Sequence, residues 1–154
     1  MSYTFREAGL GDINALVGLR ADFMEGFGPL DEKGREALGN YKKFLLESMG
    51  DGSFAQWLAE TESEIAATGS VSFYRLPPTG RRPNGWEAYI GNMFTYPAHR
   101  RQGLAKEILH LLAKEARAAG CGTVALHASD QGRPLYEAFG FEAMGDMMRL
   151  HMED

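Results

Sequence analysis

Cysteine is nearly missing from this chain: Cys121 is the only one in 154 residues. One thiol cannot form an intrachain disulfide, so the fold must be held by burial, and a reducing compartment suits it. Long apolar runs are missing too. No stretch approaches the roughly 20 residues that span a bilayer, and the opening MSYTFREAG lacks a charged region followed by an apolar one. These absences predict a cytoplasmic protein with no membrane partner. A basic surplus is also lacking, with 16 Lys and Arg against 21 Asp and Glu and a net charge of −5. That excludes a general nucleic-acid surface, which needs a basic face. No Cys/His cluster has metal-ligand spacing, so no metal is expected. The Gly-Lys-Ser/Thr ending of a P-loop, a three-glycine dinucleotide fingerprint and a Gly-x-Ser-x-Gly frame around Ser129 are all missing. There are no repeats, low-complexity segments or linkers, and residues 1–154 are expected to form one domain.

What is present suits a soluble globular domain, at 44% hydrophobic and 24% charged. A chain of this length buries about two-thirds of its unfolded surface. The stretch that organises it is Ala88–Lys106, AYIGNMFTYPAHRRQGLAK. It reads as a buried strand, a proline-marked turn and a glycine-containing entry into a helix. The first N–H groups of a helix have no intrahelical partner, and the helix dipole adds positive character there. Arg100, Arg101 and Lys106 reinforce that polarity with no acid between His99 and Lys106. Gly103 lacks the Cβ that would hold a phosphate off the backbone, and Ala105 is nearly as small. A pyrophosphate fits this turn.

The remaining elements follow from periodicity and punctuation. Tyr3–Glu7 alternates as a strand, and Asp12 is an N-cap for a helix to about Phe27 whose apolar stripe is interrupted only by Arg20. Asp31 caps a second helix weakened by Gly34 and Gly39. Phe54–Glu60 and Ile65–Leu76 form a hairpin, and Pro77–Gly85 is a loop in which Arg81 and Arg82 either meet solvent or greet an anion. The central strand is about Trp86–Thr95. The helix after Arg101 gathers Leu104, Ala105, Ile108, Leu109, Leu111, Leu112 and Ala116 on one face, with His110 solvated opposite. A strand Thr123–His127, a helix Gln131–Phe139 and strands Phe141–Ala143 and Met147–Met152 around Gly145-Asp146 complete the expectation.

At Arg100-x-x-Gly103-x-Ala105, preceded by Met93-Phe94-Thr95 and followed by Pro134-Leu135-Tyr136-Glu137-Ala138-Phe139-Gly140-Phe141, the chain resembles the GNAT acyltransferase superfamily. The resemblance covers roughly the C-terminal half. It implies an α+β fold: a central mixed, mostly antiparallel sheet splayed between two parallel strands and flanked by helices. It implies acetyl-CoA as cosubstrate and transfer of an acetyl group to a primary amine of a small molecule or peptide. Met93, Phe94 and Thr95 match the strand that binds the thioester and pantetheine, and Arg100, Arg101, Gln102, Gly103, Leu104 and Ala105 match the pyrophosphate turn. Tyr136 matches the proton donor to the leaving thiolate. Ser129 stands where the family often has Asn, and its hydroxyl can still donate.

The chemistry sets further demands. A lysine-like amine has a pKa of about 10.4, so freeing its lone pair at pH 7 costs roughly 4–5 kcal/mol and a base must take the proton. Glu87 at the start of the central strand is the first choice and His127 the second, with Glu25, where the first helix meets the acceptor loop, a third candidate. Cys121, at the start of its strand, is a poor nucleophile, which favours direct attack in a ternary complex. Glu25, Asp31 and Glu32 near the acceptor cover favour a cationic amine over an acidic one. The alternative is a CoA-binding or sensing module without transfer activity. A homodimer is left open, with no interface identified.

Overall fold

The computed structural model describes residues 2–152. Its elements are β1 (Thr4–Glu7), a 3-10 turn (Leu10–Asp12), α1 (Ile13–Glu25), α2 (Glu32–Gly50), β2 (Phe54–Glu60) and β3 (Ile65–Arg75). There follow β4 (Trp86–Thr95), a second 3-10 turn (Pro97–His99), α3 (Leu104–Ala118), β5 (Thr123–Leu126) and α4 (Arg133–Phe139). The five strands lie in sequence order β1-β2-β3-β4-β5. All neighbours are antiparallel except β4 and β5, which run parallel. This is the expected mixed sheet.

Helices cover both faces, giving two apolar cores. On one face α3 buries Leu104, Ile108, Leu109, Leu112 and Ala116 against Ala67, Val71, Ala88 and Ile90. Each fully buried Leu or Ile is worth about 1.5–3 kcal/mol, so α3 is pinned along its whole length and its N-terminus is fixed with it. On the other face α1 and α2 bury Ile13, Leu16, Leu19 and Leu45 against Phe54 and Leu58. Gly69 of β3 lets α3 lie close, because a Cβ there would meet Met93 Sδ at 2.5 Å and Ile108 Cγ2 at 2.7 Å.

The parallel pairing of β4 with β5 is short. It runs from Glu87 opposite Thr123 to Ile90 opposite Leu126. Beyond Ile90 the strand β4 continues to Thr95 while the chain after Leu126 leaves for α4, so the two strands part. A register shift against β3 between Thr68 and Ser70 lies at the same place, and Asn92 there has φ +55°. The parting leaves the β5-facing polar groups of Gly91–Thr95 without a strand partner.

Three expectations need correction. Phe141–Ala143 and Met147–Met152 are not strands; the Gly145-Asp146 turn is present, but nothing pairs on either side of it. At four residues, β5 offers too short a ladder to fix them, and Met144, Met147, Met148, Leu150 and Met152 stay exposed. Asp12 does not cap α1 through its side chain. It accepts from the Gly9 backbone N–H and two N–H groups of Arg6, all at 2.8 Å. A bidentate guanidinium outcompetes a lone cap bond. The helix after the Ser129 turn starts at Arg133, not Gln131, because Ser129 Oγ accepts from Gly132 N–H and holds the preceding residues in a turn. Asp31 does cap α2, accepting from Gly34 N–H at 2.7 Å.

Candidate active site

The parting of β4 from β5 opens into a cleft of about 530 Å³. Its floor is Met93, Phe94 and Thr95; one wall is Arg100, Arg101, Gly103, Leu104, Ala105 and Lys106; the other is Ser129, Gln131, Gly132, Leu135 and Tyr136. Phe23, Gly26 and Phe27 from the end of α1 close the rim. Of the residues expected to hold the cosubstrate, Gln102 alone does not line this cleft.

The turn into α3 has the form of an anion cradle. Gly103 has φ +78° and nothing within 4 Å of where a Cβ would sit. Arg101 is also left-handed, at φ +61°, so the chain bends sharply twice just before the helix. No side chain caps α3. Its first N–H groups therefore face the cleft with their partial charge uncancelled. Arg100 is oriented by donating its Nε–H to Thr95 O at 3.3 Å, which ties the turn to the end of β4.

At the opposite wall Tyr136 is 8% exposed, its ring packed over Gly132, where a Cβ would come within 2.9 Å. Among the described residues its hydroxyl has no hydrogen-bond partner. Burial, and then the neighbouring Tyr89, push its phenol above the ordinary value. It is a protonated donor at neutral pH, free to act. Ser129 spends its hydroxyl oxygen on the Gly132 N–H at 3.1 Å, which leaves the hydroxyl hydrogen available.

The first two candidates for the base are placed differently. Glu87 is paired with Arg82 at 3.0 Å and does not line the cleft. His127, just beyond β5, has both ring nitrogens engaged: Nδ1 lies 2.6 Å from Tyr89 Oη, and Nε2 lies 2.8 Å from Arg149 Nη2. A guanidinium only donates, so Nε2 accepts, and in the neutral ring Nδ1 carries the proton and donates to Tyr89. Like Glu87, His127 does not line the cleft, nor does its partner Tyr89, a residue the sequence reading did not single out. Tyr89 shares the strand face of Glu87 two positions earlier, and that two-residue period was the signal that would have found it. Cys121 is half-buried, and burial followed by Glu87 raises its thiol, so it holds no ready thiolate.

His99 also lines the cleft yet is a structural residue. It is 2% exposed, held between Tyr3 Oη at 3.0 Å and the Glu64 carboxylate at 2.8 Å. No group of His, Cys, Asp and Glu among the described residues is arranged to hold a metal. No helix there is long and apolar enough to cross a membrane.

Comparison with known proteins bears on this geometry directly. The acetyltransferase (GNAT) family profile matches residues 16–141. A glucosamine 6-phosphate N-acetyltransferase of Trypanosoma brucei brucei is 34% identical over 84 residues, which is 54% of this chain and 56% of that protein. This match thus spans little more than half of the relative. A protein from Clostridium acetobutylicum, described as a predicted acetyltransferase and solved with acetyl-CoA, superposes with a TM-score of 0.88 at 30% identity, covering 98% of this chain and 97% of its own. A GCN5-related N-acetyltransferase from Ralstonia eutropha JMP134 shares the fold with a TM-score of 0.87 at 22% identity, over 99% of this chain and all of its own. With the profile covering most of the sequence and acetyl-CoA the cosubstrate, the chain belongs to the GNAT family of acetyltransferases.

Proposed function

We propose that this acetyltransferase moves the acetyl group of acetyl-CoA to a primary amine of a small molecule, by direct attack while both are bound. The observation that carries the reading is the uncapped N-terminus of α3, which opens through Gly103 into a cleft with a protonated Tyr136 on its far wall. Acetyl-CoA supplies an activated thioester whose carbon accepts the amine and whose sulfur leaves. The chain's residues do the rest. The turn Arg100–Ala105 holds the pyrophosphate: Arg100 and Arg101 lend charge, Gly103, Leu104 and Ala105 lend backbone N–H groups, and Gln102 lends its own from outside the cleft wall. The unpaired edge at Met93, Phe94 and Thr95 binds the pantetheine arm and offers a donor where the carbonyl oxygen gains charge. Ser129 donates its hydroxyl hydrogen to the same arm.

Tyr136 donates to the departing sulfur. A thiolate of pKa about 8.5 needs only a well-placed neutral donor, and a raised phenol suits that task. The amine's proton leaves by the other side, through Tyr89 to His127. With Arg149 on Nε2 the ring donates to Tyr89 and cannot accept. When Arg149 withdraws and Nε2 takes the hydrogen, Nδ1 presents a lone pair to Tyr89 and the relay is open. The raised thiol of Cys121 agrees with direct attack over an acyl-enzyme, and its single thiol with a cytoplasmic setting.

The test is amine-dependent CoA release across a broad amine panel, with Tyr136→Phe, Tyr89→Phe and His127→Gln beside wild type. The reading expects Tyr136→Phe to lower kcat at least tenfold while acetyl-CoA still raises the melting temperature. A Tyr136→Phe enzyme with unchanged turnover would remove the assigned acid.

A further inference from the structure

Between α1, α2 and the sheet, where an apolar core is expected, the chain buries a run of polar side chains. Gln56, Thr68, Ser70 and Asn92 are 1%, 2%, 3% and 8% exposed. They are joined in one hydrogen-bonded chain. Thr68 Oγ1 donates to Trp57 O at 2.9 Å and accepts from Gln56 Nε2 at 2.8 Å; Gln56 Oε1 accepts from Tyr41 Oη at 3.2 Å. The Asn92 amide nitrogen donates to Tyr41 Oη at 3.1 Å and to Ser70 Oγ at 3.0 Å. Both amide hydrogens of Asn92 are thus spent, which fixes its orientation and turns Oδ1 toward α1. There it accepts from Arg20 Nη1 at 2.6 Å.

Everything in this chain ends on Arg20, and Arg20 itself is unbalanced. It is half-buried, and no ion pair among the described residues includes it. One of its five N–H donors is used internally. Its guanidinium carbon stands 5.4 Å from the ring centre of Phe23 and 5.6 Å from that of Tyr41, so two aromatic faces hold the plane in place. Phe23 lines the cleft and touches the Phe94 ring at 6.2 Å. A cation withdrawn from water without a counter-ion is costly to the free protein. A planar fork held rigid by an amide and two rings, with most of its donors unspent, is the arrangement that recognises a carboxylate or phosphate. Arg20 does not line the cleft itself; it stacks behind Phe23, which does, and its partner Asn92 lies two residues before Phe94 on β4.

We propose that Arg20 is the anion-recognition group of the acceptor site, and that the acceptor is a primary amine that also carries a phosphate or a carboxylate. This inference rests on the amine-acetylation reading above. It also reverses the preference for a purely cationic acceptor that the acids of the cover suggest, because the guanidinium behind Phe23 has no ion pair among the described residues. Asn92, Tyr41 and Ser70 are then positioning residues that hold the fork.

The experiment compares matched amines in the CoA-release assay: glucosamine 6-phosphate against glucosamine, and an α-amino acid against its amide. Wild type is expected to favour the anionic member of one pair at least tenfold in kcat/KM, and which pair does so tells phosphate from carboxylate. Arg20→Met should erase that ratio through KM, Arg20→Lys should restore part of it, and both should keep the KM for acetyl-CoA. Equal use of both members in wild type, or a preference that survives Arg20→Met, overturns the inference. If none of the four amines turns over, the same pairs are titrated by thermal shift with CoA saturating. A shift by an anionic member that Arg20→Met abolishes then supports the inference, and no such shift overturns it. Failure of acetyl-CoA itself to raise the melting temperature is a separate result, which strikes the acetylation reading and not the anion site.

Discussion

Replacing Gly69 with alanine should damage both the packing and the site, by amounts set by the contacts around it. The added Cβ would stand 2.5 Å from Met93 Sδ, 2.7 Å from Ile108 Cγ2 and 3.1 Å from Leu112 Cδ1. The methionine sulfur ends a flexible side chain and can swing away. The Ile108 methyl cannot, since it is β-branched on a helix and fully buried. It is about 0.7 Å short of ordinary contact, so α3 must lift from the sheet. Overpacking of this kind costs about 1–3 kcal/mol. For a domain of this size that lowers the melting temperature by roughly 3–10 °C. The same shift moves the N-terminus of α3 and displaces Met93 from the cleft floor, so the KM for acetyl-CoA should rise with the loss of stability. Melting curves and initial rates across acetyl-CoA concentrations measure the two effects. An alanine variant that melts within about 1 °C of wild type with an unchanged KM would refute the claim that Gly69 sets the distance between α3 and the sheet.

Gly39→Ala, in the interior of α2 with nothing within 4 Å of the new methyl, should act oppositely and stabilise by about 0.4–1 kcal/mol, read as a higher melting temperature. Gly103→Ala forces a side chain into φ +78°, so about 1–2 kcal/mol of strain should appear as weaker acetyl-CoA binding in a thermal-shift titration. Asp12 is held down to about 2 by the Arg6 guanidinium and the Gly9 N–H. Its contribution is therefore complete above the unfolded carboxylate value near 4 and is lost as pH falls toward 2. The pair faces solvent, so Asp12→Asn should cost only about 0.5–1 kcal/mol at pH 7 and flatten the stability curve between pH 4 and 2. Arg149→Ala frees Nε2 of His127 and should raise kcat for amine-dependent CoA release at neutral pH; an unchanged kcat would separate the guanidinium from the relay.

How far the sequence reveals this protein depends on whether a residue's role is local. The strand Trp86–Thr95, the glycine turn at 103 and the amphipathic helix Leu104–Ala118 are legible because each is dictated by neighbours within a few positions: alternation, a left-handed glycine, a repeating apolar stripe. The wall formed by Tyr136 follows from a motif of the same local kind. What was not legible depends on how side chains meet once the chain between them has folded, even at five or six residues' separation. Glu87 looks like a base until Arg82 folds back onto it, and Asp12 looks like a cap until Arg6 takes both its oxygens. The C-terminal strands fail for a related reason. Their alternation is real, but a strand needs an edge, and a four-residue β5 is too short to supply one.

Arg20 carries the argument furthest. In the sequence it is an interruption in an apolar stripe, and the stripe is correctly read as core: Leu16 and Leu19 beside it are buried. Nothing local distinguishes a charge that snorkels to solvent from one held for a purpose. The difference is made 72 residues away by Asn92, a non-glycine residue at φ +55° in a register shift of β4. A regular β4 would run its side chains past this point in strict alternation. The shift instead turns Asn92 to the α1 side while Met93 keeps to the α3 side, beside Gly69. The irregularity at the place where β4 leaves β5 and the cleft opens thus also supplies the amide that holds the guanidinium behind Phe23. If that is so, opening and recognition share one cause. Asn92→Gly, which tolerates the backbone but cannot hold Arg20, should keep acetyl-CoA binding and lose the preference for anionic amines; loss of both together would mean that the side chain, and not the backbone shift, keeps the strands apart.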